Sequence, residues 1–175
     1  MSIGSVAGGT TQNISGIFLI TTSSVYAAST IGVELTKASL LSTQTISGVF
    51  TIYTNCKGPD NYGCFSSGVS FSDCQSNIVI SGVFMVSASN EQKDGGTTVF
   101  GVKGEGYDLF KEDPEGIFGK LEISGVFTIS ASSGGDNSNN EASGVSLLNC
   151  TGDIEVSGIF TISDYSEGTT GLNDA

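Results

Sequence analysis

The residues best equipped for chemistry are five carboxylates within eleven positions: Glu105, Asp108, Glu112, Asp113 and Glu115. Two suitably spaced carboxylates suffice for glycoside hydrolysis, so this cluster is the candidate for a carbohydrate-processing enzyme. The surrounding segment, Gly104 to Gly119, is Gly-rich, contains Lys111 and is bounded by Lys103 and Lys120. Mixed charge on a Gly-rich stretch is the composition of a solvated loop. The chain has no His, which removes the commonest general base, and no Arg. The expectation is therefore no enzyme and no catalytic residue. Oxygen ligands without imidazole leave calcium as the only metal to weigh. Asp136-Asn137-Ser138-Asn139-Asn140-Glu141 offers such oxygens. It lacks both the regular Gly-Gly-x-Gly-x-Asp repeat of calcium-dependent solenoids and the spacing of a helix-loop-helix calcium site. No metal and no cofactor are expected, with calcium a weak alternative.

Four cysteines remain. Cys56 and Cys64 bracket the turn-rich Lys-Gly-Pro-Asp-Asn-Tyr-Gly and suit a small disulfide loop. Cys74 and Cys150 occupy matching places in Phe71-Ser72-Asp73-Cys74 and Leu147-Leu148-Asn149-Cys150. Each reads as a small inward hydrophobe. With no His in the chain, a Cys–His nucleophile is excluded.

The elements that would position these groups are written in a repeated phrase. Ile-Ser-Gly-Ile-Phe at 14–18 recurs as Ile-Ser-Gly-Val-Phe at 46–50, 80–84 and 123–127, and as Val-Ser-Gly-Ile-Phe at 156–160. Self-similarity at a spacing of 32 to 43 residues marks a repeat architecture. A weaker phrase lies between successive strong ones: Gly32-Val33, Gly68-Val69, Gly101-Val102 and Gly144-Val145. With the strong phrase called A and the weak one B, the chain reads as nine alternating units, each taken as one coil. On that count Cys74 and Cys150 are four steps, or about 19 Å, apart, too far for a disulfide.

Phrase A is β-branched and aromatic, alternates with period two, and is bounded by Ser, Thr, Asn and Gly. Helix signals are scarce; Gly32 to Leu41 is the best candidate for a turn or two. Short strands bury their apolar side only by stacking, which predicts a right-handed parallel β-helix of about nine coils. It forms a single domain over 1–175, with polar insertions near 55–66, 89–98, 103–120 and 132–142. Stacking in register sets Phe18, Phe50, Phe84, Phe127 and Phe160 in one internal column and Ile20, Ile52, Val86, Ile129 and Ile162 in another. An antiparallel sandwich also alternates, but has no reason to repeat its core phrase five times.

The pairing of a Ser-Gly-Val phrase with Phe-x-x-Cys or Leu-x-x-Cys, at 67–74 and 143–150, resembles the polymorphic outer-membrane-protein repeats. Those repeats alternate a Gly-Gly-Ala-Ile element with Phe-x-x-Asn; here Cys replaces Asn and one Gly replaces two. The resemblance implies a right-handed parallel β-helix exposed on a cell surface, often as an adhesin.

If the Phe column faces inward, alternation turns a neutral set outward: Ser47, Val49, Thr51, Ser81, Val83, Met85, Ser124, Val126, Thr128, Ser157, Ile159 and Thr161. Such a face marks a contact site. The competing arrangement is a bulge at each Gly that turns Val inward beside Phe. A regular Thr lattice would point to ice binding; Thr51, Thr128 and Thr161 begin one, and Leu19 and Met85 interrupt it.

Eighteen acids against six lysines give a net charge of −12, which repels phosphate backbones and argues against nucleic-acid binding. No apolar run approaches the roughly 20 residues of a membrane-spanning helix, so no membrane insertion is expected. Met1 to Gln12 lacks a basic start followed by an apolar stretch, so no signal peptide is visible. The expectation is a structural or adhesive solenoid, extracellular or on a cell or particle surface. Its partner would be another copy, in a homo-oligomer or filament, or a cell-surface or glycan ligand.

Overall fold

The computed structural model describes residues 1–3, 9–37, 42–57, 62–74, 76–92, 95–106, 119–134, 139–150, 152–166 and 173–174. All regular structure among them is β, arranged as a parallel solenoid of about four turns. The strong phrases build one wall: β2 (Thr11–Ile14) with β3 (Ile17–Ser24), β5 (Thr43–Ile46) with β6 (Val49–Cys56), β8 (Asn77–Asn90), β10 (Lys120–Ser133), and β12 (Asp153–Val156) with β13 (Ile159–Ser166). The weak phrases build the other, in the order β1 (Ser2–Ile3), β4 (Ala28–Thr36), β7 (Cys64–Ser72), β9 (Thr97–Glu105), β11 (Asn140–Leu148) and β14 (Asn173–Asp174).

This pairing corrects the count of nine coils. Phe18 pairs with Phe50, Phe50 with Phe84, Phe84 with Phe127 and Phe127 with Phe160, always strong phrase on strong phrase. Val33, Val69, Val102 and Val145 pair among themselves in the opposite sheet. One strong arm plus one weak arm therefore makes one turn, and the five strong rungs span about 19 Å, where nine stacked coils would span about 38 Å. Cys74 and Cys150 follow β7 and β11, two rungs apart with β9 between, so about 10 Å separates them rather than 19 Å. The candidate helix is also corrected: Gly32 to Thr36 lies in β4, and 38–41 falls outside the described residues.

Two kinds of glycine fix the cross-section. Gly16, Gly48, Gly82 and Gly125 hold φ between +128° and +144°, a region that side chains rarely adopt, and bend the strong arm. Their rungs nest closely: Val83 N–H donates to Gly48 O at 2.8 Å, and a Cβ on Gly82 would run into that same carbonyl. The weak-arm glycines instead face the core. A Cβ on Gly101 would lie 2.9 Å from Ile129 Cδ1 and 3.2 Å from Phe127 Cδ1. Glycine in one wall thus makes room for the Phe and Ile columns of the other. Between the walls, Phe50, Phe84, Phe127, Ile52, Ile129, Val69 and Val102 are all buried.

The corner from strong to weak arm is sealed differently in each turn. Cys56, ending β6, is disulfide-bonded to Cys64, opening β7, with 6.0 Å between Cα atoms. One turn on, the buried Asn90 takes the place of Cys56. Its amide donates to Tyr62 O at 2.8 Å and Gly96 O at 3.0 Å, and its oxygen accepts from Gln92 N–H at 3.0 Å. Thr97 donates to Ser132 O at 2.9 Å, and Asn140 to Tyr165 O at 2.8 Å. Each donor ties a side chain to a backbone carbonyl at the corner, and Gly96 O also accepts from Cys64 N–H at 3.0 Å.

Candidate contact surface

The outer side of the strong-arm wall carries two columns of the predicted face. One runs Ile17, Val49, Val83, Val126, Ile159, and the next Leu19, Thr51, Met85, Thr128, Thr161, each in register with its neighbour. Val83 is 37% and Val126 39% exposed, whereas Phe84 and Phe127 beside them are fully buried. Strict alternation therefore holds, and the bulge that would turn Val inward is absent at these positions. Ser47, Ser81 and Ser124 flank the columns half-buried, and Ser157 is exposed on the last rung.

Charge is nearly missing from this wall. Across 17–24, 49–56, 83–90, 126–133 and 159–166 the only charged residue is Asp164, and it stands in the inward column after Ala88 and Ala131. Beyond the bend, Lys120 contacts Glu122 and lies 3.4 Å from Glu155. Those hydrogen bonds, that to Glu122 foremost, hold the Lys120 ammonium above its ordinary pKa. A row of side-chain hydroxyls and methyls on a flat sheet costs little to desolvate, because no ion must leave water.

The other candidates are placed less favourably. Glu105 is exposed at the end of β9, while Asp108, Glu112, Asp113 and Glu115 lie outside the described residues. Asp136 to Ser138 do too; Asn139 and Glu141 are exposed, and Asn140 turns into the corner. Among the described residues no group of three His, Cys, Asp or Glu could hold a metal ion. A shallow depression of about 200 Å³ lies beside the corner, lined by Ser89, Asn90, Glu91, Ser132, Ser133 and Tyr165. Its one carboxylate, Glu91, pairs with Lys57 at 3.2 Å. On the opposite wall Lys103 Nζ sits 5.6 Å and 5.9 Å from the Phe65 and Phe100 rings and partly covers them.

Sequence reasoning missed one set of residues. Period-two alternation continues on the N-terminal side of each Gly, giving inward columns that end at Ile154 and Val156. Both are exposed, because the last strong rung has nothing stacked on its outer edge among the described residues. The signal was present as Ile78-x-Ile80, Leu121-x-Ile123 and Ile154-x-Val156, running from two residues upstream of the strong phrase to its first residue.

No family model, no curated protein and no solved structure matches the chain. The chain forms a parallel β-solenoid, and no match supports the resemblance to the polymorphic outer-membrane-protein repeats.

Proposed function

We propose that this protein is a non-enzymatic structural module that self-associates, into a filament or a surface layer, through its neutral strong-arm face and its open rungs. The observation that carries this reading is the in-register, almost uncharged wall of Val83, Met85, Val126 and Thr128 on a chain of net charge −12. Keeping charge off one wall of so acidic a molecule favours contact there, and a solenoid whose outer edges are exposed can add strands. The coil is right-handed, as parallel crossovers overwhelmingly are. The Cys56–Cys64 bond supports an oxidising location, outside the cell or on a particle surface. Docking on a cell-surface or glycan partner is the second use of the same face.

Mass and shape measured against concentration test the reading. Light scattering and electron microscopy should show particles that grow with concentration. The non-enzyme part is tested by replacing Glu105, Asp108, Glu112, Asp113 and Glu115 with Asn or Gln. The variant should associate like the parent, and neither should degrade polysaccharides; an activity lost on substitution would overturn it.

A further inference from the structure

The two ends of the solenoid fit each other. β1 pairs with the far end of the weak arm, Ser2 with Glu34 and Ile3 with Leu35. β14 pairs with its near end, Asn173 with Asn140 and Asp174 with Glu141. The registers place Asn140 in the column of Ala28 and Cys64, and place Ser146 and Leu147 in the columns of Glu34 and Leu35. The two short strands thus occupy different stretches of one rung, the first two positions and the seventh and eighth. On the strong-arm wall the last rung leaves inward columns open. Ile154 is 44% and Val156 45% exposed, against 0% and 1% for Leu121 and Ile123 one rung below.

We propose that a second copy of this chain stacks head to tail on that end, with a shift of five rungs. The proposal rests on the self-association reading and specifies its joint. β1 of the incoming copy lies beside β14 on one shared rung and pairs with Ser146 and Leu147 of β11. With β1 at that level, the incoming β2 and β3 fall directly on β12 and β13. Phe160 then meets Phe18 and continues a stack whose ring centroids are 4.7 to 4.9 Å apart. Val156 meets Ile14, and Ile162 meets Ile20.

Charge selects this polarity. The last rung carries Asp153, Glu155 and Asp164, whereas the first, Thr11 to Ser24, carries no charge. In register these acids meet Thr11, Asn13 and Thr22, whose hydroxyl and amide groups can donate to them. Joining two last rungs would instead crowd six acids together. A heterologous contact that does not close builds a filament.

Five rungs at about 4.8 Å set the axial rise per copy at about 24 Å. Helical reconstruction of particles formed by the full chain in salt should return that rise. A rise near 29 Å would mean that β14 and β1 sit on separate levels and would overturn the joint. Cross-linking gives a second reading, in a Cys150→Ser background. Thr161→Cys and Leu19→Cys in one chain should oxidise to a ladder of multimers, because column neighbours lie within disulfide reach. Leu19→Cys alone should give no covalent dimer. Val156→Lys, at a position half-exposed in the free molecule, should keep the native circular dichroism spectrum and lose the filament. Multimers that survive Val156→Lys, or that cross-link Leu19→Cys to itself, would overturn this joint and leave self-association standing. A chain that stays monomeric throughout would overturn both.

Discussion

Phe84 stacks on Phe127 with ring centroids 4.9 Å apart and planes 5° from parallel, both rings fully buried. With Phe50 they are the three interior rings of a five-ring column that runs from Phe18 to Phe160. An identical side chain on every rung needs no fresh solution for packing, so the column propagates as long as the phrase repeats.

Truncating Phe84 to Ala should cost about 3–5 kcal/mol, since it leaves a ring-sized cavity that two stacked neighbours cannot fill. Val83→Thr, one residue away but facing solvent, should cost under about 1 kcal/mol. Urea unfolding of both variants checks the alternation. Equal losses would place Val83 in the core.

The Phe column and the outward Val column were legible because period-two alternation survives every insertion. The closure into two walls was not. Both phrases contain Gly-Val, so they read as versions of one coil stacked in alternation. The distinguishing feature is what each glycine meets. A Cβ on Gly82 would meet the Gly48 backbone of its own wall, whereas one on Gly101 would meet, besides Gly144 O of its own wall, the side chains of Ile129 and Phe127 across the core. A strong phrase with Phe inward and a weak one with Gly inward are complementary rather than alike, which is why they oppose each other. The Cys56–Cys64 pair was visible from its turn-rich spacing. Its equivalents, Asn90 with Thr97 and Ser133 with Asn140, share no residue type with it and announce nothing in sequence.

Gly82→Ala should be among the most damaging single changes. Its φ of +143° strains any side chain by about 1–3 kcal/mol, and the added Cβ meets the Gly48 backbone, which cannot swing aside. A loss of about 3 kcal/mol or more is expected by thermal or urea unfolding. Gly63→Ala is the control: a Cβ there meets only Gly96 O, at 3.7 Å, and should cost under about 1 kcal/mol. Similar losses at the two sites would refute the nested stacking of the strong-arm glycines.

The two cysteines outside the disulfide should respond differently to alkylation. Cys74 is fully buried, and Cys150 is partly so. Burial pushes the Cys150 thiol above its ordinary pKa, partly offset by backbone hydrogen bonds at Gly106 and Leu148. Native Cys150 should therefore react with iodoacetamide more slowly than the unfolded chain near pH 8–9, with its rate profile displaced to higher pH. Cys74 should react only on unfolding. The linked stability has a definite sign: it is fully present below the unfolded thiol pKa and lost as pH rises through the folded one. Native Cys74 labelling as fast as Cys150 would show that the chain just after β7 is open.

Association should strengthen with salt. The net charge of −12 repels neighbouring copies, and the contact face contributes almost none of it, so screening removes the opposition without weakening the attraction. At about 0.1 M ionic strength the screening length falls to about 10 Å. Sedimentation or light scattering from low salt to about 0.5 M should show increasing mass, with an added effect of calcium if it bridges acids on neighbouring copies. Lys at Val49, Val83 and Val126 should remove side-by-side contact while sparing the fold, because those side chains point away from the core. Attraction dominated by ion pairs would show the reverse, with mass falling as salt rises. A chain that remains monomeric at high concentration in both salt and calcium would shift the assignment to adhesion on a foreign partner.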